Sequence, residues 1–369
     1  MEDKVKIDFD SIVILYPGKT NYHMVSHPAN YSLPRLLLLL EEISDVPIYF
    51  FNTEKKVSFS NNIHFKHFNY FQILLLLFKL RKKRVVLISQ SIKHDRFAVM
   101  LKRIFSVKVM IRRGGIYHGR SQMESTEFKS SLKKFRYLRK ADAVHSTLDG
   151  TPVNMYFDLL GIDLSKRHGQ LNGFPIVKSQ HSKRQNKAIC ISRLSPEKAV
   201  DLAIHAFALA DKKLHENYEL DIVGDGPERG KLEELCKLLN IEAKVNFLGH
   251  KDDAISLIGQ SKLFINPLGN NTVIESIAAR TPVISLELGE LEMNYSTFPN
   301  VFIIPYEKGG YGPIPAVLKD SLKIKMSEKI VEVLNNFSSI NLEYTIDYSK
   351  YGWETRLENE IKIYNELFE

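Results

Sequence analysis

An α/β fold is predicted, with two doubly wound Rossmann-like domains facing a central cleft, from three features of the sequence. Short apolar runs alternate with helical patterns along nearly the whole chain, as βαβ units over a parallel sheet do. The alternation is interrupted once, by the polar, turn-rich stretch GQLNGFPIVKSQHSKRQNK (169–187), and then restarts. The chain of 369 residues is also long for one domain and suits two of ordinary size.

The elements follow in order. SIVILYPG (11–18) reads as a strand ending in a Pro-Gly turn, SLPRLLLLLEEIS (32–44) as a helix and PIYFFN (47–52) as a strand. RVVLISQS (84–91), KVMIRRGG (108–115) and DAVHST (142–147) continue the strands, with helices HDRFAVMLKRIF (94–105) and STEFKSSLKKFRYLRKA (125–141) between them. After the linker come the strands AICISRL, YELDIVGDG, KVNFLGH, KLFINP and TPVISLE, separated by helices at 196–210, 228–240 and 272–280 and by a short one before KLFINP. The predicted domains are 1–175 and 176–345. Residues 346–369, including the only tryptophan, Trp353, form an amphipathic helix packing back toward the first domain.

Apolar residues at 44% and charged residues at 25% are ordinary for a globular protein. Two cysteines, Cys190 and Cys236, make neither a disulfide framework nor a metal cluster, and fit a reducing cytosol. The charged start MEDKVKIDFD shows no signal-peptide pattern, and the longest apolar runs, 36–40 and 73–78, fall short of the roughly 20 residues of a bilayer span. A cytoplasmic location is expected. The net charge of +8 is uneven: residues 1–175 hold 28 Lys and Arg against 15 Asp and Glu, the remainder 23 against 28. A basic half suits nucleic acid, a membrane surface or an anionic substrate. No nucleic-acid motif is present, so that partner is not expected. FQILLLLFKLRKKRVV (71–86) reads in two ways. It is a segment leaning peripherally on an anionic membrane at the inner face of the cell, or a core helix, a solvated turn and a strand.

Chemistry enters at ISRLSPEKAVDLAIHAF (191–207). Ser195 reads as an N-cap and Pro196 as the first helical residue. Arg193 and Lys198 then crowd a helix end that is already positive, at a cost of about 0.3–1 kcal/mol each. They are either solvated surface charges or, with the backbone N–H groups, a phosphate cradle. Elsewhere, Thr272 and Glu275 in TVIE fit a capping box, and GDGP (224–227) fits a tight turn.

The motifs ISRLSPEKAVDLAIHAF, LDIVGDGPERGKLEEL, VNFLGH, LFINP and NNTVIESIAARTPVIS occur in this order at these separations. The set resembles the nucleotide-sugar-binding domain of retaining GT-B glycosyltransferases, the family 4 or group 1 enzymes. The resemblance is strong over roughly residues 185–290 and extends to the Trp353 helix. The N-terminal half shares only the strand–helix rhythm. The resemblance implies that Arg193 and Lys198 hold the donor diphosphate and stabilise its developing charge with no bound metal and no cofactor. Glu275 matches the second glutamate of the family's E-x7-E pattern and would bind the ribose hydroxyls. Gly224 and Gly226 would line the nucleotide pocket, and Gly249 and His250 would meet the base. The position of the first glutamate holds Pro267, leaving Asn270, Asn271 and Thr272 as candidates for contacts to the sugar or phosphate. Ala199 replaces the glycine that usually follows the motif lysine. In the first domain, Gly18 corresponds to a loop touching the donor phosphate and His118 to a histidine near the anomeric carbon. Arg112 and Arg113 are candidates for an anionic acceptor.

The activity implied is that of a metal-independent, retaining glycosyltransferase. It would move a sugar from a nucleotide-diphosphate sugar, UDP favoured, to a hydroxyl of a lipid-linked saccharide in bacterial surface polysaccharide assembly. Two alternatives share the architecture: a nucleotide-sugar epimerase, and a non-catalytic partner subunit. A nicotinamide dehydrogenase is disfavoured, because no G-x-G-x-x-G follows a strand.

Overall fold

The computed structural model describes residues 7–16, 40, 45–52, 63–90, 92–113, 123–148, 152–177, 184–268, 272–287, 295–306 and 314–369. Gly18, His118, Asn270 and Asn271 lie outside the described residues, as does the expected helix 32–44 apart from Leu40.

Among the described residues the first sheet has seven parallel strands: β1 (Ser11–Leu15), β2 (Ile48–Asn52), β3 (Ile63–His67), β4 (Val85–Ser89), β5 (Val107–Arg113), β6 (Ala143–Thr147) and β7 (Arg167–Gln170). Their order is β3-β2-β1-β4-β5-β6-β7. β1, β4 and β6 are buried along their full length, as a sheet covered on both faces requires. Helices α1 (Tyr70–Lys79), α2 (Ile92–Leu101), α3 (Thr126–Ser131) and α4 (Val153–Leu160) lie over one face. The single helix expected at 125–141 is α-helical only through Ser131 and continues as a 3-10 helix to Lys140. At the junction the Ser131 hydroxyl donates to the Phe128 carbonyl at 2.7 Å, competing with the helical ladder.

The second sheet comprises β8 (Gln185–Ile191), β9 (Glu219–Val223), β10 (Val245–Gly249), β11 (Ser261–Asn266), β12 (Val283–Leu286) and β13 (Val301–Ile304), all parallel, in the order β10-β9-β8-β11-β12-β13. α5 (Val200–Asp211), α6 (Arg229–Leu238) and the later α9 (Ala316–Asn335) share one core with this sheet; α7 (Ala254–Gln260) and α8 (Thr272–Ala278) share the other. The expected linker is shorter than 169–187, because β7 takes its first residues and β8 its last. The helix expected over 272–280 stops at Ala278, with Arg280 in the left-handed region at φ +54°.

The C-terminal segment is two helices rather than one, α10 (Tyr348–Tyr351) and α11 (Trp353–Glu366), separated by Gly352 in extended backbone. α11 covers the second face of the first sheet, with Leu357, Ile361 and Tyr364 packed among Ile12, Ile14, Phe50 and Ile88. An ion cluster fastens it. Glu360, fully buried, pairs with Arg112 at 3.1 Å and with Arg356 at 3.0 Å, and accepts from the Tyr364 hydroxyl at 2.6 Å. Burial opposes the Glu360 charge, yet Arg112, His145 and Arg356 hold its carboxyl down at about 2. This corrects the expectation for Arg112. Its guanidinium is 3% exposed and its charge already belongs to Glu360, so it is a fastening of the fold and not an acceptor contact.

Candidate functional site

In the second sheet β8 and β11 are neighbours, while β9 and β10 lie to the other side of β8. The connections therefore diverge between β8 and β11, and a crevice opens outside the carboxyl ends of the strands there. It holds a cavity of about 550 Å³. Four strand ends and α8 contribute to its lining: Ser192, Arg193 and Lys198 after β8, Gly224 and Asp225 after β9, His250 and Lys251 after β10, Asn266 and Leu268 at β11, and Thr272 and Glu275 on α8. Arg193, Lys198, Gly224, His250, Thr272 and Glu275, expected from the sequence, thus meet at one cavity.

The loop after β8 departs from the predicted helix 196–210. Pro196–Lys198 is a 3-10 turn and α5 begins only at Val200, because Ala199 adopts a left-handed backbone at φ +51°. Ser195 makes no side-chain cap; its hydroxyl donates to Glu197 at 2.7 Å. The cations therefore precede the α-helix, and Arg193 is ion-paired with Glu197 in the same loop. Glu197 is the local counter-charge that makes two cations tolerable beside a helix N-terminus. The Arg193 side chain remains 66% exposed and open to an incoming anion.

Gly224 and Gly226 brace this loop. A Cβ on Gly224 (φ +129°) would lie 1.9 Å from the Ser192 carbonyl oxygen, and one on Gly226 (φ +158°) 2.3 Å from that of Leu194. Only glycine permits the two loops to run this close. The Leu194 N–H donates to the Asp225 carbonyl at 2.9 Å and the Glu228 N–H to the Leu194 carbonyl at 3.0 Å, which fixes the backbone on both sides of Arg193. Gly226 thus acts from behind the cavity and is not among its lining residues. Gly249 closes β10 with φ +67°, its carbonyl accepting from the Gly224 N–H at 2.8 Å. The next residue, His250, projects an exposed side chain beside Asp252.

On the opposite wall, Asn266 donates from Nδ2 to the Thr272 hydroxyl at 2.9 Å, tying the end of β11 to the start of α8. Thr272 is itself the first helical residue rather than the cap before it. Glu275 is 4% exposed and its Oε2 has no hydrogen-bond partner. Burial pushes its carboxyl up to about 7. Such a group exchanges its proton near neutrality and can accept from, or donate to, ligand hydroxyls. A buried polar atom left unsatisfied costs about 1–3 kcal/mol, which a hydroxyl-bearing ligand would recover.

Arg113 is not brought to this cavity. Its guanidinium pairs with Asp95, fully buried on α2, which also accepts from the Ser89 hydroxyl at 2.7 Å and from Tyr137 at 3.2 Å. The expected acceptor role of Arg113 is corrected for the same reason as that of Arg112: a buried carboxylate already neutralises it. Asp225, within the GDGP stretch expected at the nucleotide pocket, also lines the cavity, and Lys251 and Asn266 join it without having been expected from the sequence. Lys251 and Asn266 lie at strand carboxyl ends in the second sheet, and that position was the available signal.

Comparison with known proteins accords with this geometry. Residues 175–292 match the family described as glycosyl transferases group 1. An uncharacterized glycosyltransferase of Methanocaldococcus jannaschii is 32% identical over 124 residues, 32% of this chain and 30% of the relative. A Campylobacter jejuni α-1,4-N-acetyl-D-galactosaminyltransferase, named for a diphospho-undecaprenol-linked glycan, is 38% identical over 80 residues, 22% of each chain. These matches span less than a third of either relative. The crystal structure of Anabaena HepE in complex with UDP-glucose superposes with a TM-score of 0.67 at 14% identity, covering 96% of this chain and 98% of that one. The two-sheet architecture is the GT-B fold.

Proposed function

We propose that this chain, with a glycosyl transferases group 1 domain on a GT-B fold, is a glycosyltransferase whose donor is a UDP-sugar bound in the cavity at the β8–β11 crevice. The observation that carries the reading is the convergence of Arg193, Lys198 and Lys251 around one cavity with Glu275, whose Oε2 has no hydrogen-bond partner. The cations and the backbone at the start of α5 suit a diphosphate. Glu275 suits ribose hydroxyls on the far side. HepE, of the same fold, was crystallised with UDP-glucose.

In the reaction an acceptor hydroxyl replaces the diphosphate at the anomeric carbon. The bond to the diphosphate oxygen breaks, the new glycosidic bond forms on the same face, and the acceptor proton leaves with the nucleoside diphosphate. Arg193 and Lys198 neutralise the charge that grows on the departing oxygen, the task a divalent cation performs elsewhere. The acceptor in this reading is a lipid-linked saccharide of bacterial surface polysaccharide assembly. The Campylobacter relative, named for a diphospho-undecaprenol-linked glycan, supports it, as does the basic first half.

One observation favours a second reading. Pro267 occupies the place of the family's first motif glutamate, which approaches the transferred sugar, and suits a non-catalytic partner subunit. Release of UDP from UDP-glucose, UDP-N-acetylglucosamine and UDP-N-acetylgalactosamine, with and without a chelator, separates the two. Chelator-resistant release that Arg193→Ala reduces supports the transferase. Donor binding without release from any sugar would establish the partner subunit instead.

A further inference from the structure

α1 is amphipathic in an unusual sense. Ile73 and Leu77 bury one face in the core. The opposite stripe, where a surface helix normally turns polar residues to water, carries Phe71, Leu75 and Phe78, with Phe71 66% and Phe78 58% exposed. The neighbouring α2 and the turn after it add Ile92, Met100 and Ile104, all exposed. The two helices are tied together where the Tyr70 ring meets Phe97 edge-on at 4.7 Å. Scattered exposed apolar residues are ordinary, but a cluster on adjacent helices marks an interaction surface.

The charge on the same segment is one-sided. Residues 70–104 contain nine Lys and Arg and a single acidic residue, Asp95. Asp95 is fully buried and committed to Arg113, so its charge does not offset the cations outside; from beyond the segment Asp10 meets Lys83 at 3.6 Å and Asp142 meets Lys102 at 2.5 Å, which still leaves the cations in excess. Arg81, Lys82, Lys83 and Arg84 follow α1 directly and are exposed. The Arg81 guanidinium sits 4.5 Å over the Phe78 ring and donates to the Phe78 carbonyl at 3.0 Å, which holds charge and aromatic side by side.

We infer that α1 and α2 form a docking surface for an anionic lipid bilayer, with α1 lying in the plane of the interface. Exposed aromatic and aliphatic side chains enter the acyl boundary while the flanking cations meet lipid phosphates. Phosphate contacts alone, as on a nucleic acid, would not call for the apolar stripe. Among the described residues no helix is long and apolar enough to cross a membrane, so the contact is one of lying on the surface. The inference deepens the reading of a lipid-linked acceptor, since it places the first domain against the leaflet that carries one.

The test is flotation of the full chain with phosphatidylglycerol-containing vesicles and with pure phosphatidylcholine vesicles, at low and high salt. Selective flotation with the anionic vesicles at low salt is expected. Lys82→Ala with Lys83→Ala should weaken it roughly tenfold or more, since each cation near the surface counts for about a fivefold factor. Phe71→Ser with Phe78→Ser should weaken it by at least about tenfold. Phe71→Trp keeps the bulk of the site, and its fluorescence should shift to the blue on adding anionic vesicles. No flotation at low salt, equal flotation with both lipids, variants that float as the parent does, or an unshifted tryptophan would overturn the inference. So would selective capture of RNA in place of vesicles. Thermal stabilisation by UDP, measured on the same samples, should be unchanged in every variant. Its loss in the parent would instead count against the donor site, leaving the vesicle result to stand alone.

Discussion

The two domains share one architecture and use their cations in opposite ways. In the first, Arg112 and Arg113 at the carboxyl end of β5 are turned inward and neutralised by Glu360 and Asp95, both fully buried. In the second, Arg193 at the equivalent end of a strand is 66% exposed, and its partner Glu197 is a surface residue an anion can displace. Buried pairing fastens a structure, because removing one partner strands a charge in low dielectric. Exposed pairing contributes little to stability and leaves the charge available. An arginine at a strand end is therefore a binding residue only where no carboxylate from a neighbouring element has claimed it.

Substitutions on the two sides should separate cleanly. The largest stability effect is expected for Glu360→Gln, which should lower the unfolding free energy in urea by about 3–5 kcal/mol by stranding Arg112 and Arg356. Because the Glu360 carboxyl is held at about 2, below its ordinary value, its stabilisation is full above that ordinary value. It is lost as the pH falls through about 2, and the gap between variant and parent should narrow in that window. Arg193→Ala should instead cut turnover by roughly a hundredfold and leave urea stability within about 0.5 kcal/mol of the parent. Glu275→Gln should act through pH. The folded carboxyl titrates near 7, above its unfolded value, so the parent loses stability as the pH rises from about 4.5 to about 7. The variant should lack that slope, a difference on the order of 3 kcal/mol in unfolding measured across the window. The smallest change is expected for Glu197→Gln, which frees Arg193 and should tighten UDP less than about fivefold, an effect that salt removes.

Much of this was legible in the sequence. The βαβ rhythm located ten of the thirteen strands among the described residues and missed β3, β7 and β13, while the ordered motifs of the second domain placed Arg193, Lys198, Gly224 and Glu275 around one cavity. The failures have physical causes. Nothing local announces that Ala199 takes a left-handed backbone, since glycine is the residue that normally signals it. The break at Gly352 was hidden by an apolar period that runs on across it. The roles of Arg112 and Arg113 depended on Glu360, 248 residues away in sequence, and on Asp95, on a separate helix. Such pairings lie in tertiary structure and leave no mark on spacing. Arg193 was readable because its whole environment comes from short segments with recognisable turns.

The most direct test of the nucleotide cradle is a thermal-shift titration with UDP in the absence of divalent metal, on the parent, Arg193→Ala and Lys198→Ala, with GDP, dTDP and NAD alongside. The cradle predicts that UDP stabilises the parent without metal and that both substitutions abolish the shift at the same concentration. An unchanged shift in the two variants, or stabilisation that appears only when a divalent cation is added, would contradict it.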